Sequence, residues 1–343
     1  MIYPRKPLRG VLIWWLRCAG AIALIIVLLR LPKSAEVRLV HIDLRWLGLV
    51  MLLTVIQLLL EAFVWQWLLS IQGIRHSYPR TILAYLASEY LGLVTPGHVG
   101  EFLAAGYVSM ETGITFGYAL SSVVVKKIFS VIVVVSFGVW SLELLGQVPL
   151  VQGVQWGFIA GAVILLALSA GMAVWVVSLR RLARKWERFS PWQIDMTEFW
   201  SGIWHLGSVR IVIPFGLSVL AFGVLFLQLD AVLRSLAIAL PLRLVAKMVA
   251  FSRIVGRVIP LSIVGFGSKD VALIGSLARQ GIDQPTALTV SLLLVLCTYL
   301  VTLLLSGLCW WIRPLVVPSA AHARTDAGAA RSASRLRVRK GHR

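Results

Sequence analysis

SEYLGLVTP at residues 88–96 returns at residues 252–260 as SRIVGRVIP. Ser, Gly, Val and Pro keep the same places in the two segments, which lie 164 positions apart. Residues 113–120 and 281–288 share a second match, Gly-Ile and Ala-Leu separated by four residues, at a spacing of 168 positions. Two matched blocks in the same order predict an internal repeat whose second copy carries a short insertion.

The composition is typical of a polytopic helical membrane protein. Of the 343 residues, 59% are hydrophobic and 14% are charged, and several apolar runs exceed the ~18 residues that a spanning helix needs. The net charge of +19 does not indicate a nucleic-acid partner, because Lys and Arg lie mostly in loops and in the C-terminal tail, as orientation in a membrane requires. The three cysteines lie in apolar runs without metal-ligand spacing, so we expect neither a metal site nor a disulfide framework.

Six apolar segments are predicted to span the membrane, at about 11–31, 44–70, 117–140, 154–178, 211–233 and 286–312. The first follows a basic N-terminus and precedes no small-residue cleavage site, which predicts an uncleaved anchor. Segments 81–108 and 244–278 are also apolar, but Gly, Pro and charged residues interrupt them. Non-helical backbone at membrane depth is tolerated only inside protein or beside water, so each segment predicts a re-entrant or broken helical hairpin.

Charge placement predicts the orientation. The basic segments are the N-terminus, the 71–80 loop, the 179–210 loop and the tail, and the positive-inside rule puts all four in the cytoplasm. Six spans and two returning hairpins satisfy this, with hairpin one open to the cytoplasm and hairpin two open to the outside. Repeat units at about 44–140 and 211–312 then run in opposite directions, as in the inverted-topology repeats of secondary transporters. Two hairpins that cross fully would instead put the 179–210 loop outside.

The predicted fold is therefore an all-α polytopic membrane protein, with a transmembrane domain at 1–315. Loop 179–210 has apolar residues every three or four positions, which predicts two amphipathic helices lying on an anionic leaflet. The tail 316–343 is small, polar and basic, which predicts disorder. This arrangement predicts that both termini lie in the cytoplasm.

Charged residues inside apolar stretches are the candidate functional residues, because a lone charge at the bilayer centre costs about 2.5–3.5 kcal/mol. They must face each other, water or an anionic ligand. The acidic members are Glu61, Glu89, Glu101, Asp230 and Asp270, and the basic members are Lys126, Lys127, Lys247, Arg253, Arg257 and Lys269.

Arg253, Arg257 and Lys269 predict a lipid-phosphate site. The two arginines are four positions apart and share a helix face, and Lys269 follows a Gly265-x-Gly267 turn. Guanidinium forks and free backbone N–H groups at a helix start both suit phosphate oxygens. The alternative is that these side chains only extend to the outer interface.

Four further polar residues of the hairpins have a structural and a functional interpretation. Glu89 and Arg253 hold equivalent places in the two copies, which predicts either a polar gate or a structural ion pair. Glu101 and Asp270 follow Pro–Gly turns and open apolar stretches, so we expect them to cap the returning helices rather than to carry protons. His98 is expected to be a packing residue. The residues predicted to form the hairpin turns are Gly92, Pro96, Gly97, Gly100, Gly256, Pro260, Gly265 and Gly267.

Lys126 and Lys127 are neighbours in an apolar span, and neighbouring positions point about 100° apart on a helix. We therefore expect at most one of them to face a narrow cavity. No P-loop, HExxH motif, nucleophile elbow or dinucleotide fingerprint occurs. The sequence thus predicts no enzyme, no catalytic residue and no cofactor.

The two hairpins resemble the flippase-like membrane domain of bacterial lysylphosphatidylglycerol synthases, over about residues 10–315. The run Pro96-Gly97-His98-Val99-Gly100-Glu101 is similar to the family's Pro…Gly-Glu turn, and Pro260 with Gly265-Phe266-Gly267-Ser268-Lys269-Asp270 is similar to its Pro…Gly-x-Gly…Glu turn. Gly281-Ile282 followed by Ala287 fits as well. Departures are Ala104-Ala105 where the family often has Arg, Lys126-Lys127 in the span where it often has Arg and Asp, and Asp270 where Glu is usual.

The resemblance implies translocation of a lipid, not its synthesis, because the soluble aminoacyltransferase domain of these synthases has no counterpart in this sequence. The expected partners are anionic or glycosylated membrane lipids and enzymes of a lipid pathway. The alternative function is that of a non-transporting accessory protein of a lipid or polysaccharide pathway.

Overall fold

A computed structural model of the chain describes residues 42–94, 96–142, 196–258, 262–263 and 266–314. The predicted spans at about 11–31 and 154–178, the first part of the 179–210 loop and the tail 316–343 lie outside the described residues. The α-helices are α1 Leu44–Ile71, α2 Tyr78–Val94, α3 Ala104–Thr112, α4 Phe116–Ser141, α5 Met196–Leu206, α6 Val212–Ser235, α7 Leu242–Val258, α8 Ser268–Arg279 and α9 Gln284–Ile312. Two 3₁₀ helices, Pro96–Leu103 and Val209–Ile211, and two short strands, β1 Ser262–Ile263 and β2 Phe266–Gly267, complete the described structure.

Among the described residues, four helical segments are long and apolar enough to cross a membrane, namely α1, α4, Val209–Ser235 with α6, and α9. They confirm the predicted spans at 44–70, 117–140, 211–233 and 286–312, and they make the chain a polytopic membrane protein. Three of them begin at a capping side chain, because Asp43, Thr115 and Asp283 each accept a hydrogen bond from a backbone N–H of the first turn.

Each interrupted segment forms two helices that double back on one another. In hairpin one, α2 is followed by the 3₁₀ helix Pro96–Leu103 and then by α3, and the 3₁₀ helix packs against α2. A Cβ at Gly100 would overlap the backbone of Leu91, so only glycine allows this close return. In hairpin two, α7 and α8 are joined through a minimal antiparallel pair of strands, in which Ser262 faces Gly267. The described structure is otherwise helical, so the predicted all-α class is confirmed apart from this short pair.

The order long helix, hairpin, long helix occurs twice, as α1 to α4 (unit one) and as α6 to α9 (unit two). In both units the hairpin ends at a glycine with left-handed backbone, Gly113 at φ 73° and Gly281 at φ 79°. These two glycines are the equivalent residues of the second sequence match. Their shared backbone geometry gives the sequence repeat a structural counterpart.

The two units pack against each other in a reciprocal way. α2 of unit one packs against α9 of unit two, and α7 of unit two packs against α4 of unit one. The first helices, α1 and α6, also pack together and run antiparallel, since the N–H of Asp43 donates to the carbonyl of Ser235 at 3.0 Å and the Gln228 amide donates to Gln57 at 3.0 Å. The equivalent helices α1 and α6 thus run in opposite directions, as expected for the first helices of an inverted repeat.

Helix α5 corresponds to the second of the two amphipathic helices predicted in loop 179–210. One face buries Met196, Phe199 and Leu206 against the core, where α5 packs on α4. The other face leaves Trp200 45% and Trp204 82% exposed. The predicted surface helix is therefore docked on the bundle along its apolar face and presents two tryptophans outward.

Candidate functional site

Within the described residues, each unit has a polar cavity that is formed by its hairpin and the helices that pack on it. The unit-one cavity is lined by Trp65, Tyr85, Ser88, Glu89, Glu101, Ala104, Val123, Lys126 and Lys127. The unit-two cavity is lined by Leu225, Gln228, Val249, Ser252, Arg253, Lys269, Asp270, Leu273, Leu294, Val295 and Thr298.

Ion pairs neutralise most of the unit-one cavity. The ammonium of Lys126 lies 3.2 Å from a carboxylate oxygen of Glu61 and 3.9 Å from the centroid of the Tyr85 ring. Lys127 forms an ion pair with the buried Glu101. Both lysines line this cavity, so the prediction that at most one could do so is wrong. The reason is that Glu61 on α1 and Glu101 on the 3₁₀ helix lie on different walls, and each attracts one of the two diverging side chains.

Glu101 does not cap the returning helix. The N-cap position of α3 is Leu103, which makes no side-chain capping bond. The pairing with Lys127 is instead what compensates the charge of Glu101 at its buried position.

Asp270 behaves as predicted and caps a helix. One carboxylate oxygen accepts the N–H of Gly267 at 2.8 Å, and the other accepts the hydroxyl of Ser291 at 3.0 Å. The residue is 3% exposed. Both oxygens are therefore engaged in holding the start of α8 against α9.

Arg253 and Lys269 meet at the unit-two cavity, whereas Arg257 does not. Both lining residues are half-buried, and among the described residues neither makes a hydrogen bond or an ion pair. Arg257 lies one turn further along α7, is exposed, and donates to the hydroxyl of Ser130 on α4 at 3.1 Å. The structure thus brings two of the three predicted phosphate ligands together.

Glu89 and Arg253 do not form the predicted contact. Within the part of the chain that the structure describes, they make no ion pair with each other, and they line different cavities. The two residues are nevertheless equivalent by position, since each lines the cavity of its own unit at the matched place of the repeat. A gate made from these two side chains is not present in this arrangement.

The spacings of the sequence repeat relate the two cavities residue by residue. A shift of 164 positions takes Ser88 to Ser252 and Glu89 to Arg253, and a shift of 168 takes Glu101 to Lys269. The same shift of 168 takes Lys126 and Lys127 of α4 to Leu294 and Val295 of α9, which line the second cavity. The acidic hairpin residues of unit one are thus basic in unit two, and the basic span residues are apolar.

Glycines at equivalent places let these charged residues approach. A Cβ at Gly92 would overlap the side chain of Glu101, and a Cβ at Gly256 would lie 2.9 Å from the Cβ of Lys269. The predicted turn glycines Gly92 and Gly256 therefore act in close helix packing. Of the other predicted turn residues, Pro96, Gly97, His98 and Gly100 lie in the 3₁₀ helix, Gly267 is the N-cap of α8, and Pro260 and Gly265 lie outside the described residues.

The charge pattern marks Glu61 as a candidate without assigning it a partner or a cavity, and it does not mark Gln228. Glu61 pairs with Lys126, and the Gln228 amide at the unit-two cavity is fixed by donation to Thr54 and Gln57. The shift of 164 positions takes residues 61 and 64 to residues 225 and 228, which line the second cavity. Extending the repeat from the hairpins to the first spans would have found them.

A second polar network lies at the loop between α1 and α2. His76 is 6% exposed; one ring nitrogen lies 2.7 Å from the Thr81 hydroxyl, and the other lies 3.0 Å from Glu111. Arg313, just after α9, lies 2.5 Å from the other oxygen of Glu111. Burial lowers the pKa of His76 and outweighs the opposite effect of Glu111. This network ties the end of α9 to hairpin one.

The profile of the lysylphosphatidylglycerol synthase TM region matches residues 14–306. The chain belongs to this family. Comparisons with curated proteins and with solved structures gave no significant match.

The family match covers both hairpins, all of unit one and unit two up to residue 306, so each cavity lies within the lysylphosphatidylglycerol synthase TM region. Membership shows that the chain is a membrane protein of a lipid-related family. The resemblance inferred from the two hairpin turns is thereby confirmed. The departures at Ala104-Ala105 and Lys126-Lys127 fall at the unit-one cavity, where the lysines form its internal ion pairs.

Proposed function

We propose that the protein moves an anionic phospholipid or glycolipid between the two leaflets of a bacterial inner membrane. Its termini lie in the cytoplasm, and the lipid phosphate binds in the unit-two cavity between Arg253 and Lys269. The transport breaks no covalent bond, so the proposal assigns no catalytic residue and no cofactor.

The observation that supports the proposal is the net positive charge of the unit-two cavity. Arg253 and Lys269 line it together, and Asp270 is occupied in capping α8. Charges that are partly removed from water need partners, because desolvation costs several kcal/mol for each ion. An anionic ligand supplies such a partner.

The donors suit a phosphate group. The hydroxyls of Ser252 and Thr298 both donate to backbone carbonyls of their own helices, at 2.9 Å and 2.7 Å. The N–H groups of Arg253 and Lys269 are therefore the donors that remain for phosphate oxygens. A guanidinium binds two oxygens at once, and an ammonium adds a point charge.

The antiparallel arrangement of α1 and α6 supports transport as the activity. Inverted repeats place a substrate site at the unit interface, and rocking of one unit against the other exposes it to each side in turn. The unit-two cavity fits this plan, since Gln228 in its lining is bonded to α1 of unit one.

The test is lipid translocation in proteoliposomes, measured with a headgroup-labelled phosphatidylglycerol and a membrane-impermeant quencher. Arg253→Gln should reduce the translocation rate at least about tenfold, because a charged hydrogen bond is worth about 1.5–3 kcal/mol. Arg234→Gln is the matched control; Arg234 pairs with Asp230 on the surface of α6, and its loss should leave the rate within about twofold.

Two outcomes separate the proposal from its alternatives. If wild-type protein produces no translocation above protein-free vesicles, the chain is an accessory protein and the proposed activity is wrong. If Glu89→Arg combined with Arg253→Glu restores full activity, these residues form a self-contained pair and the phosphate role of Arg253 is wrong.

A further inference from the structure

The two cavities have opposite charge patterns at equivalent positions. In unit one the hairpin supplies carboxylates at Glu89 and Glu101, and the last span supplies ammonium groups at Lys126 and Lys127. In unit two the hairpin supplies cations at Arg253 and Lys269. At the two places on α9 that correspond to the lysines stand apolar residues.

Helix α9 has no charged side chain anywhere between its ends. Its residues from Gln284 to Ile312 include no Asp, Glu, Lys, Arg or His. The two residues that face the cavity from the positions of the lysines are Leu294 and Val295, both half-buried. In unit one, Lys127 of α4 neutralises the charge of Glu101 in the hairpin. In unit two, α9 has no acidic residue that could neutralise Arg253 or Lys269.

We infer that Leu294 and Val295 are the specificity-determining residues of the protein. The two cavities lie at equivalent places of the repeat. The unit-one cavity is neutralised largely by its own counter-ions, and the unit-two cavity accepts an anion because α9 has no acidic residue to pair with Arg253 or Lys269. This inference rests on the proposed function and adds to it which residues make the site selective for anions.

The charge of the lining also defines the class of ligand. Arg253 and Lys269 contribute two positive charges, and Asp270 contributes one negative charge. A ligand with one net negative charge, such as a phosphodiester, balances this lining. A phosphomonoester with two negative charges overcompensates it, and a zwitterion or a cation gains less.

The test introduces into α9 a counter-ion for the charged residue of its hairpin, as α4 already provides in unit one. Val295→Glu places a carboxylate at the position of α9 that corresponds to Lys127 of α4. Lys269, which corresponds to Glu101, is then the residue that this carboxylate would pair with. The combined length of the two side chains is unchanged, because Lys and Glu exchange places. The introduced carboxylate should therefore pair with Lys269 and compete with an external anion.

Binding is measured on full-length protein in a non-ionic detergent, by native mass spectrometry with phosphatidylglycerol, phosphatidic acid and inorganic phosphate as probes. Val295→Glu should weaken binding of phosphatidylglycerol about tenfold or more. Val295→Gln is the comparison variant of similar size without the charge, and it should bind phosphatidylglycerol clearly more tightly than Val295→Glu does. Leu294→Glu replaces Val295→Glu if the latter does not give folded protein.

The outcomes are distinct. Equal binding in Val295→Glu and Val295→Gln, whether both are retained or both are lost, overturns the inference, because charge would then not decide binding. Tighter binding of phosphatidic acid than of phosphatidylglycerol by wild type overturns the assignment to phosphodiesters. Equal binding of inorganic phosphate and lipid by wild type, with loss in Val295→Glu alone, supports the selectivity of α9 and overturns the lipid part of the proposed function.

Discussion

Replacing Lys127 with methionine should destabilise the protein strongly, because it removes the partner of a buried carboxylate. The Glu101 side chain is 8% exposed and lies opposite a lysine that is 25% exposed. Removing one partner of a buried pair leaves an uncompensated charge and costs about 3–5 kcal/mol. Lys127→Met should therefore lower the free energy of unfolding by about 4 kcal/mol.

Lys126→Met is the matched control on the neighbouring position of α4. It leaves Glu61, which is 32% exposed and still accepts hydrogen bonds from Tyr85 at 2.7 Å and Gln57 at 3.1 Å. Hydration and these bonds support the carboxylate, so the loss should be only about 1–2 kcal/mol. The two variants should thus differ by about 2 kcal/mol.

The measurement is unfolding in mixed micelles at increasing mole fractions of sodium dodecyl sulfate, followed by tryptophan fluorescence. Glu101→Gln in the Lys127→Met background removes the carboxylate charge that Lys127 balances in the wild type and should recover about 2 kcal/mol. Equal losses in the two lysine variants would refute the reasoning, and so would a double variant that is no more stable than Lys127→Met alone.

Three further predictions concern other parts of the molecule. Because burial lowers the pKa of His76, the folded state binds fewer protons than the unfolded state near the pKa of a free histidine. The free energy of unfolding should therefore fall as pH drops below about 6.5. His76→Gln should flatten this dependence in unfolding curves from pH 5 to 8, and an unchanged slope would contradict the prediction. Gly256→Ala should lower the unfolding temperature, since its Cβ would lie 2.9 Å from the facing helix, whereas Gly275→Ala, with open space at its Cβ, should not lower it. In whole cells, a cysteine at Gln193 should react with an impermeant reagent only after the membrane is opened, and one at Gln147 should react from outside; the reverse pattern would remove the predicted orientation.

Local features of the sequence account for the parts of the fold that were predicted. Hydrophobic length alone places α1, α4, α6 and α9, because a span is an uninterrupted apolar run whatever its neighbours are. Gly and Pro mark the two hairpins because they interrupt a helix locally. Gly113 and Gly281 even share a left-handed backbone, as their matched places in the sequence suggest.

The candidate site was predicted only in part, because pairing depends on distances between helices. Arg253, Arg257 and Lys269 were predicted to act together, yet the direction of each side chain from α7 sends Arg257 to Ser130 and away from the cavity. Glu89 and Arg253 were expected to meet near the centre, yet each lies in its own cavity.

The sequence by itself determined the membrane class, the long helices and the repeat, since these depend on composition and spacing along the chain. The tertiary structure alone decided which charges are neutralised. Lys126 reaches Glu61 and Lys127 reaches Glu101 because α4 packs between the walls that carry the two acids. The equivalent turn of α9 presents Leu294 and Val295 to Arg253 and Lys269. Because charge compensation acts through space over a few ångströms, only the packing of the helices could show that one cavity is neutralised from within and the other keeps its positive charge.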